Sequence, residues 1–302
     1  MELDQLRSFI AVADTRSFTR AAALVHLSQP AISRQIARLE TELGAKLFER
    51  YGRRVECTAD GKLLLPLARS IVARTDDASR LIREHVGAIS SKVILGSTGT
   101  VFAHLLAPVL ASFLKTYPNV HLDLVEREDV FLEEAVVNGE IDCAVVTAWG
   151  SPRVASIHVL TEEILLLVPV GHKFASGLPV SMTALCDESF LLPSHSMNMS
   201  NLLTDYCHRA GFEPRVPHRA NYFELTKALV RQGLGIALVP RMLIPLEPLD
   251  GLVAVSLEEH PVRSLNLIYL REHPLATAAR ALMIHIRASI AGQAEMEAHI
   301  YA

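Results

Sequence analysis

Residues Ser17 to Arg50 read SFTRAAALVHLSQPAISRQIARLETELGAKLFER. Within them Ile32, Ile36, Leu39 and Leu43 recur at steps of four, three and four, which aligns them on one side of a helix turning ~100° per residue. Ser28 stands before the run, where its hydroxyl caps the first turn, and Pro30 lies in that turn, where its missing N–H costs nothing. Gly44 supplies a left-handed stop. On the same wheel Pro30, Ser33, Arg34, Ala37, Arg38 and Thr41 face away from the apolar side, with Gln29 at the tip.

Leu6, Phe9, Ile10 and Ala13 predict an earlier short helix, and Ser17 caps a second that carries Ala21, Ala22 and Val25. With only His26 and Leu27 before the Ser28 cap, the second and third helices must cross steeply, as in a helix-turn-helix. Two short strands, from Lys46 to Arg50 and from Val55 to Thr58, follow around a tip holding Arg53 and Arg54. A helix end with Gln, Ser and Arg suits base edges in a major groove, and a basic hairpin suits phosphate. The same spacing also describes a small helical bundle with a solvated face.

Residues 1 to about 60 resemble the winged helix-turn-helix of LysR-type transcriptional regulators. The pattern is carried by Phe9, Ser17, Phe18, Ala21, Ala22, Leu27, Ser28, Gln29, Pro30, Ala31, Ser33, Ile36, Leu39, Glu40, Leu43, Gly44, Leu47, Phe48 and Arg50. The resemblance implies that Gln29, Pro30, Ser33 and Arg34 lie against bases or the adjoining backbone, with Arg50, Arg53 and Arg54 on phosphate. Arg38, on the same outward face, joins the DNA-binding candidates. Cys57 stands where the family usually has Leu, a packing difference.

Charge and composition agree with this division. Residues 1–90 hold 14 Lys and Arg against 11 Asp and Glu, whereas residues 91–302 hold 15 against 22. Such asymmetry points to an anionic partner for the first part. A chain of 302 residues is long enough for more than one domain. Its longest apolar runs fall short of the ~20 residues that span a bilayer, so no membrane span is expected, and its acidic N-terminus is unlike a signal peptide; the expected location is the cytoplasm. Four separated cysteines and 13 histidines form neither a CxxC pair nor an HExxH motif, so no metal and no cofactor are expected.

From Thr58 to about His85, Leu64, Ala68, Ile71, Thr75, Ala78 and Ile82 approximate a heptad seam, which requires a partner. Pro66 predicts a kink near Lys62. In the family the equivalent helix forms a homodimer, and the resemblance also implies a homotetramer; packing against the chain's own C-terminal part is the other reading.

After Gly87 to Ser91, short strands alternate with helices, which predicts a parallel sheet covered on both sides. Gly96-Ser97-Thr98-Gly99-Thr100 closes a strand and opens a helix, a place where an anion is welcome. Two crossings, near Leu160 to Glu162 and Arg263 to Asn266, divide this part into lobes around a cleft. The expected layout is α/β, with a winged helix-turn-helix at 1–58, a linker helix and hinge at 59–90, and a two-lobed effector domain at 91–302. Lobe I covers about 91–160 and 266–302, and lobe II about 161–265.

This half resembles the effector-binding domain of the same family, itself similar to periplasmic binding proteins, through residues 96–100 and through Leu229 to Pro240. The resemblance implies a cleft walled by Ser97, Thr98, Thr100, Thr147, Trp149, Ser194, His195 and Phe223. Trp149 serves either as ligand platform or as packing beside a hinge, and His195 as ligand contact or loop histidine. The hydroxyl-rich lining predicts an anionic or polar small molecule. Peroxide-sensing relatives hold two cysteines nine residues apart; Cys207 matches the second, but Asn198 occupies the first position, so disulfide switching by that route is not expected. No nucleophile elbow or acid and base pair is present, although Glu126 and His195 stand as isolated candidates. A ligand-responsive DNA-binding regulator is therefore the expected function, rather than an enzyme or an effector-free architectural protein.

Overall fold

The computed structural model describes residues 1–51, 54–85, 92–147, 150–194, 198–245, 249–271 and 275–300, with the side chains of 50, 51, 54, 77–85 and 292–300 left aside. The chain falls into two compact units, Met1–Ser91 with Val137–Glu140, and Lys92–Val136 with Ile141–Ala302.

In the first unit α1 (Leu3–Thr15), α2 (Phe18–Leu24) and α3 (Gln29–Leu43) precede the antiparallel strands β1 (Phe48–Tyr51) and β2 (Arg54–Cys57) and the long helix α4 (Ala59–His85). The caps behave as the sequence predicts. Ser17 Oγ accepts the Arg20 N–H and Ser28 Oγ the Ala31 N–H, each at 3.4 Å, and Gly44 ends α3 with φ 67°. Leu6, Phe9, Ile32, Ile36 and Leu39 are buried in one core, where the Phe48 ring lies 5.3 Å from Phe9 and 5.9 Å from Phe18. Cys57 packs partly buried against this core, and burial pushes its thiol pKa up.

The linker helix corrects the first part of the seam read from the sequence. Ala68 is fully buried, and Leu64, Leu65 and Val72 pack against the same core, so this face of α4 completes its own N-terminal unit. Of the seam read from the sequence Ile71 stays exposed, at 37%, in a stripe with Leu63 and Leu67, at 72% and 56%, whereas the side chains of Ala78 and Ile82 lie outside the described residues. Pro66 lies inside α4, and the Thr58 hydroxyl caps the start of this helix by accepting the Gly61 N–H at 3.0 Å. Gly61 has a second role, because a Cβ built there would lie 2.2 Å from the Leu47 carbonyl oxygen. Gly61→Ala is expected to force α4 away from the hairpin and lower the stability of this unit by about 1–3 kcal/mol, measurable as an earlier loss of helical signal in urea.

The second unit is built on β3 (Lys92–Ser97), α5 (Gly99–Val101), a π-helical turn (Phe102–Leu106), α6 (Ala107–Thr116), β4 (His121–Glu126), α7 (Asp129–Val137), β5 (Cys143–Val146) and β6 (Val154–Pro169). It continues with β7 (Ser189–Leu192), α8 (Asn198–Arg209), β8 (Arg215–Arg219), α9 (Phe223–Arg231), β9 (Ile236–Pro240), β10 (Leu252–Val255), β11 (Val262–Leu270) and α10 (Thr277–Ile300). The strand order is β4-β3-β5-β11-β6-β9-β7-β8, with β10 beside β6. The sheet is mixed rather than parallel. Pairs β3–β4, β3–β5, β7–β8 and β7–β9 are parallel, whereas β6 and β11, which run through both lobes, pair antiparallel with each other and with β9 and β5 respectively. Their register shifts between Leu265 and Asn266.

Each lobe has its own core. Val93, Leu95, Leu106, Phe113, Val145, Leu267, Leu282 and Ile286 fill lobe I. The helical run Gly99–Thr116 is long and apolar enough to cross a membrane, and its Val101, Leu106, Val109 and Phe113 are buried in that core. In lobe II, Ile164, Leu166 and Val168 face one side with Ile236 and Leu238, whereas Leu167, Ala237 and Val239 face the other with Val230 and Leu243. Burial on both sides explains why these strands read as continuous apolar runs.

Candidate functional site

Helix α3 buries Ile32, Ile36 and Leu39 and leaves Gln29, Pro30, Arg34, Ala37 and Arg38 exposed. Ser33 is half-buried, and Gln29 Nε2 donates to its Oγ at 3.1 Å, joining the two polar groups nearest the helix tip. Arg34, Ala37, Arg38, Thr41 and Glu42 edge a shallow groove, and among the described residues neither Arg34 nor Arg38 makes a salt bridge. Two exposed guanidiniums with uncommitted donors are available to an acceptor outside the chain. In the hairpin Arg50 pairs in register with Val55 and Arg54 with Tyr51; the side chains of Arg50 and Arg54, and all of Arg53, lie outside the described residues. Glu40 is a contributor that the periodicity gave no hint of. Its Oε1 accepts the N–H of Leu47 at 2.9 Å and that of Phe48 at 3.5 Å, while Oε2 meets Lys46 Nζ at 2.6 Å, so one carboxylate ties α3 to the start of the hairpin.

Between the lobes of the second unit lies a cavity of about 80 Å³. Lobe I contributes Thr98, Thr100, Asp129 and Thr147. Lobe II contributes Pro193, Asn198, Met199, Asn221, Phe223 and Thr226 among others, and Arg263 reaches it from β11. Of the residues expected from the sequence, Thr98, Thr100, Thr147 and Phe223 come together here. Trp149 and His195 lie outside the described residues. Ser97 is corrected: it is fully buried, and its hydroxyl donates to the Val145 carbonyl at 2.8 Å, binding β3 to β5 instead of facing the cavity. Ser194 is also absent from the wall; its N–H is held by Asn221 Oδ1 at 2.7 Å, and Asn221 takes the lining position.

Asp129, Asn198 and Arg263 were missed because they are remote in sequence and show no periodicity. A signal existed in Arg263, a lone cation entering an apolar strand, and in Asp129, which opens a helix three residues after a strand. Asp129 is 5% exposed. Its Oδ2 accepts the Thr147 N–H at 3.1 Å and Asn198 Nδ2 at 3.5 Å, and its Oδ1 has no protein partner. Burial raises its pKa, with the bonds from Thr147 and Asn198 and the charge of Arg263 only partly opposing. A raised carboxyl pKa means that the native protein binds more protons than the unfolded chain. Stability therefore falls as pH rises from the ordinary Asp value of ~4 through the raised one. Asp129→Asn is expected to remove this dependence, giving a higher urea midpoint than wild type at pH 7 and an equal one near pH 4.

At the strand crossing Arg263 Nε and Nη2 both donate to Glu162 Oε1 at 2.7 Å, and Glu162 Oε2 accepts the Met242 N–H at 2.7 Å. Both side chains are almost fully enclosed. Cys207 is buried in the lobe II core, and burial pushes its thiol up to about 12, so it carries little of the reactive thiolate.

Comparison with known proteins places both sites in context. Residues 3–62 match the model of the bacterial regulatory helix-turn-helix protein of the lysR family, and residues 87–291 match the LysR substrate binding domain. The transcriptional dual regulator GltC of Bacillus subtilis is 32% identical over 92% of this chain and 94% of its own. The DNA-binding transcriptional dual regulator OxyR of Escherichia coli is 29% identical, with 97% of each chain covered. The structure of full-length CbnR, a protein solved in complex with its target DNA, superposes with a TM-score of 0.67 at 24% identity, over 96% of this chain and 100% of that one.

Proposed function

The chain belongs to the LysR family of bacterial transcriptional regulators, and from that premise we propose how its parts divide the work. As a member it is a DNA-binding regulator with an effector-binding domain. In our reading the winged helix-turn-helix covers residues 1–58, the linker helix and hinge 59–90, and the effector domain 91–302. Gln29, Ser33 and Arg34 read base edges in the major groove, with Pro30 on the adjoining backbone. Arg38 and the hairpin residues Arg50, Arg53 and Arg54 neutralise phosphate.

Two copies pair through α4 along Leu63, Leu67 and Ile71, which sets two reading helices on the halves of an interrupted palindrome. Two such dimers then form a homotetramer, acting in the cytoplasm. Leu67→Glu is expected to turn the dimer into a monomer at micromolar concentration, because a buried Leu is worth ~1.5–3 kcal/mol and a symmetric interface counts it twice; sedimentation velocity checks this.

The cavity between the lobes holds a small molecule rather than a reaction. Its occupancy alters lobe closure, and coupling of ~1–3 kcal/mol to the DNA-bound arrangement is enough for a useful switch. The observation that carries the whole reading is the face of α3, where Gln29, Arg34 and Arg38 stand exposed and uncommitted by any salt bridge opposite a buried Ile32, Ile36 and Leu39. The test is a titration of the full-length protein on the intergenic DNA beside its own gene, against unrelated DNA, at two salt concentrations. Selective binding that weakens in salt supports the reading. Equal, weak binding to both DNAs overturns it.

A further inference from the structure

We propose that Asp129 is the ligand-selecting residue of the inter-lobe cavity and that the ligand class is a small amine, which presents an ammonium group to Oδ1. This rests on the effector-cleft reading above and names the chemistry of that site. The hydroxyl-rich loop alone predicts an anionic or polar molecule, and the charges of the described lining residues oppose an anion.

Asp129 lines the cavity and is 5% exposed, with one oxygen satisfied by Thr147 and Asn198 and the other without a protein donor. A buried acceptor left unpaired is costly, more so when charged, and native proteins leave few such atoms. Arg263 is the only cation among the cavity's described lining residues, and Glu162 already engages two of its nitrogens. Among the described lining residues the negative charge of Asp129 is thus only partly offset by Arg263, whose Nε and Nη2 are already bound to Glu162. At the helix start beside Thr98, where free N–H groups favour an anion, the Glu126 carboxylate lies so close that a Cβ on Gly99 would meet its Oε1 at 2.2 Å. A carboxylate ligand would add a third negative charge to this end of the cleft. An ammonium supplies the missing donor at Oδ1, and a charge-assisted bond is roughly twice as strong as a neutral one. Size narrows the class further. About 80 Å³ is near half of a cavity that takes benzene, room for a few non-hydrogen atoms, and Phe223 offers an apolar wall to the carbon part.

Three probes of matched size test the assignment: ethanolamine, ethylene glycol and glycolate, each titrated against full-length wild type and Asp129→Asn by thermal unfolding. In Asp129→Asn the remaining side-chain oxygen still accepts from Thr147 and Asn198, and circular dichroism checks that the variant folds. The expected result is that ethanolamine raises the wild-type midpoint at concentrations at least tenfold below the other two, and that this advantage is lost in Asp129→Asn. Preference for glycolate, equal responses to all three, no response to any, or an amine effect retained in Asp129→Asn overturns the proposal. The wild-type comparison decides even if the variant fails to fold. Selective binding to the chain's own intergenic DNA, measured without any probe, separates the outcomes: if it persists while the amine fails, only the ligand class falls, and if it is absent, the regulator reading falls.

Discussion

Arg263→Ala is expected to lower the unfolding free energy of the effector-binding unit by about 3–5 kcal/mol, the penalty for leaving one partner of a buried ion pair alone. The side chains of Arg263 and Glu162 are 5% and 6% exposed, so water cannot take over the lost interaction. Removal of the guanidinium strands Glu162, whose Oε1 loses both donors while Oε2 stays fixed to the Met242 N–H. The position magnifies the effect, because Glu162 lies on β6 and Arg263 on β11, the strands that run through both lobes, next to the register shift at Leu265 and Asn266. Urea unfolding at pH 7 gives the value directly. A double variant, Glu162→Gln with Arg263→Met, is expected to recover much of the loss by removing both charges, since well-packed replacements for buried pairs are often neutral. A cost below 1 kcal/mol for Arg263→Ala would mean that the pair is solvated in solution.

Arg34→Ala is expected to weaken selective DNA binding, with a loss of about 1–3 kcal/mol, or some 5- to 150-fold, on the specific site and little change on unrelated DNA. Arg34 stands exposed on the outward face of α3 beside the Gln29 and Ser33 pair, with no salt bridge to break and no core contact to lose. Protein stability should therefore remain that of wild type. Arg38, one turn further from the tip, gives the contrasting result if it rests on phosphate: Arg38→Ala weakens specific and unrelated DNA alike and reduces the salt slope by about one. Fluorescence anisotropy on both DNAs at two salt concentrations reads all of these quantities. An Arg34→Ala protein that keeps its selectivity assigns base reading to other residues.

Local chemistry made the N-terminal unit legible. Ser17, Ser28, Pro30 and Gly44 mark helix ends by their own side chains or backbone preferences, and Ile32, Ile36 and Leu39 declare their face by spacing alone. The second half of β6 and all of β9 carry a similar local mark, since burial on both faces leaves an unbroken apolar run. Other elements carried no such mark. Strand β8, Arg215–Arg219, contains Pro217 and sits at the sheet edge, where polar residues are tolerated, and the first half of β6 alternates weakly because much of it is exposed. The Leu64 and Ala68 seam was a correct periodicity given the wrong partner: spacing shows that a face is covered, not by what. In the cleft Thr98 and Thr100 were found through their loop, but Asp129, Glu162, Asn198 and Arg263 meet only through the long-range topology of the sheet.

The double duty of α4 has a further consequence. One face, with Ala68 at its centre, belongs to the interior of the DNA-reading unit, and the neighbouring stripe of Leu63, Leu67 and Ile71 is exposed, the surface through which we propose that two copies pair. The proposed pairing through that stripe would link assembly to folding by mass action: dilution would withdraw support from the reading head itself. The melting temperature of the N-terminal unit should then climb with protein concentration, and the number of copies in a cell would set how long each one survives proteolysis as well as how often a promoter is occupied.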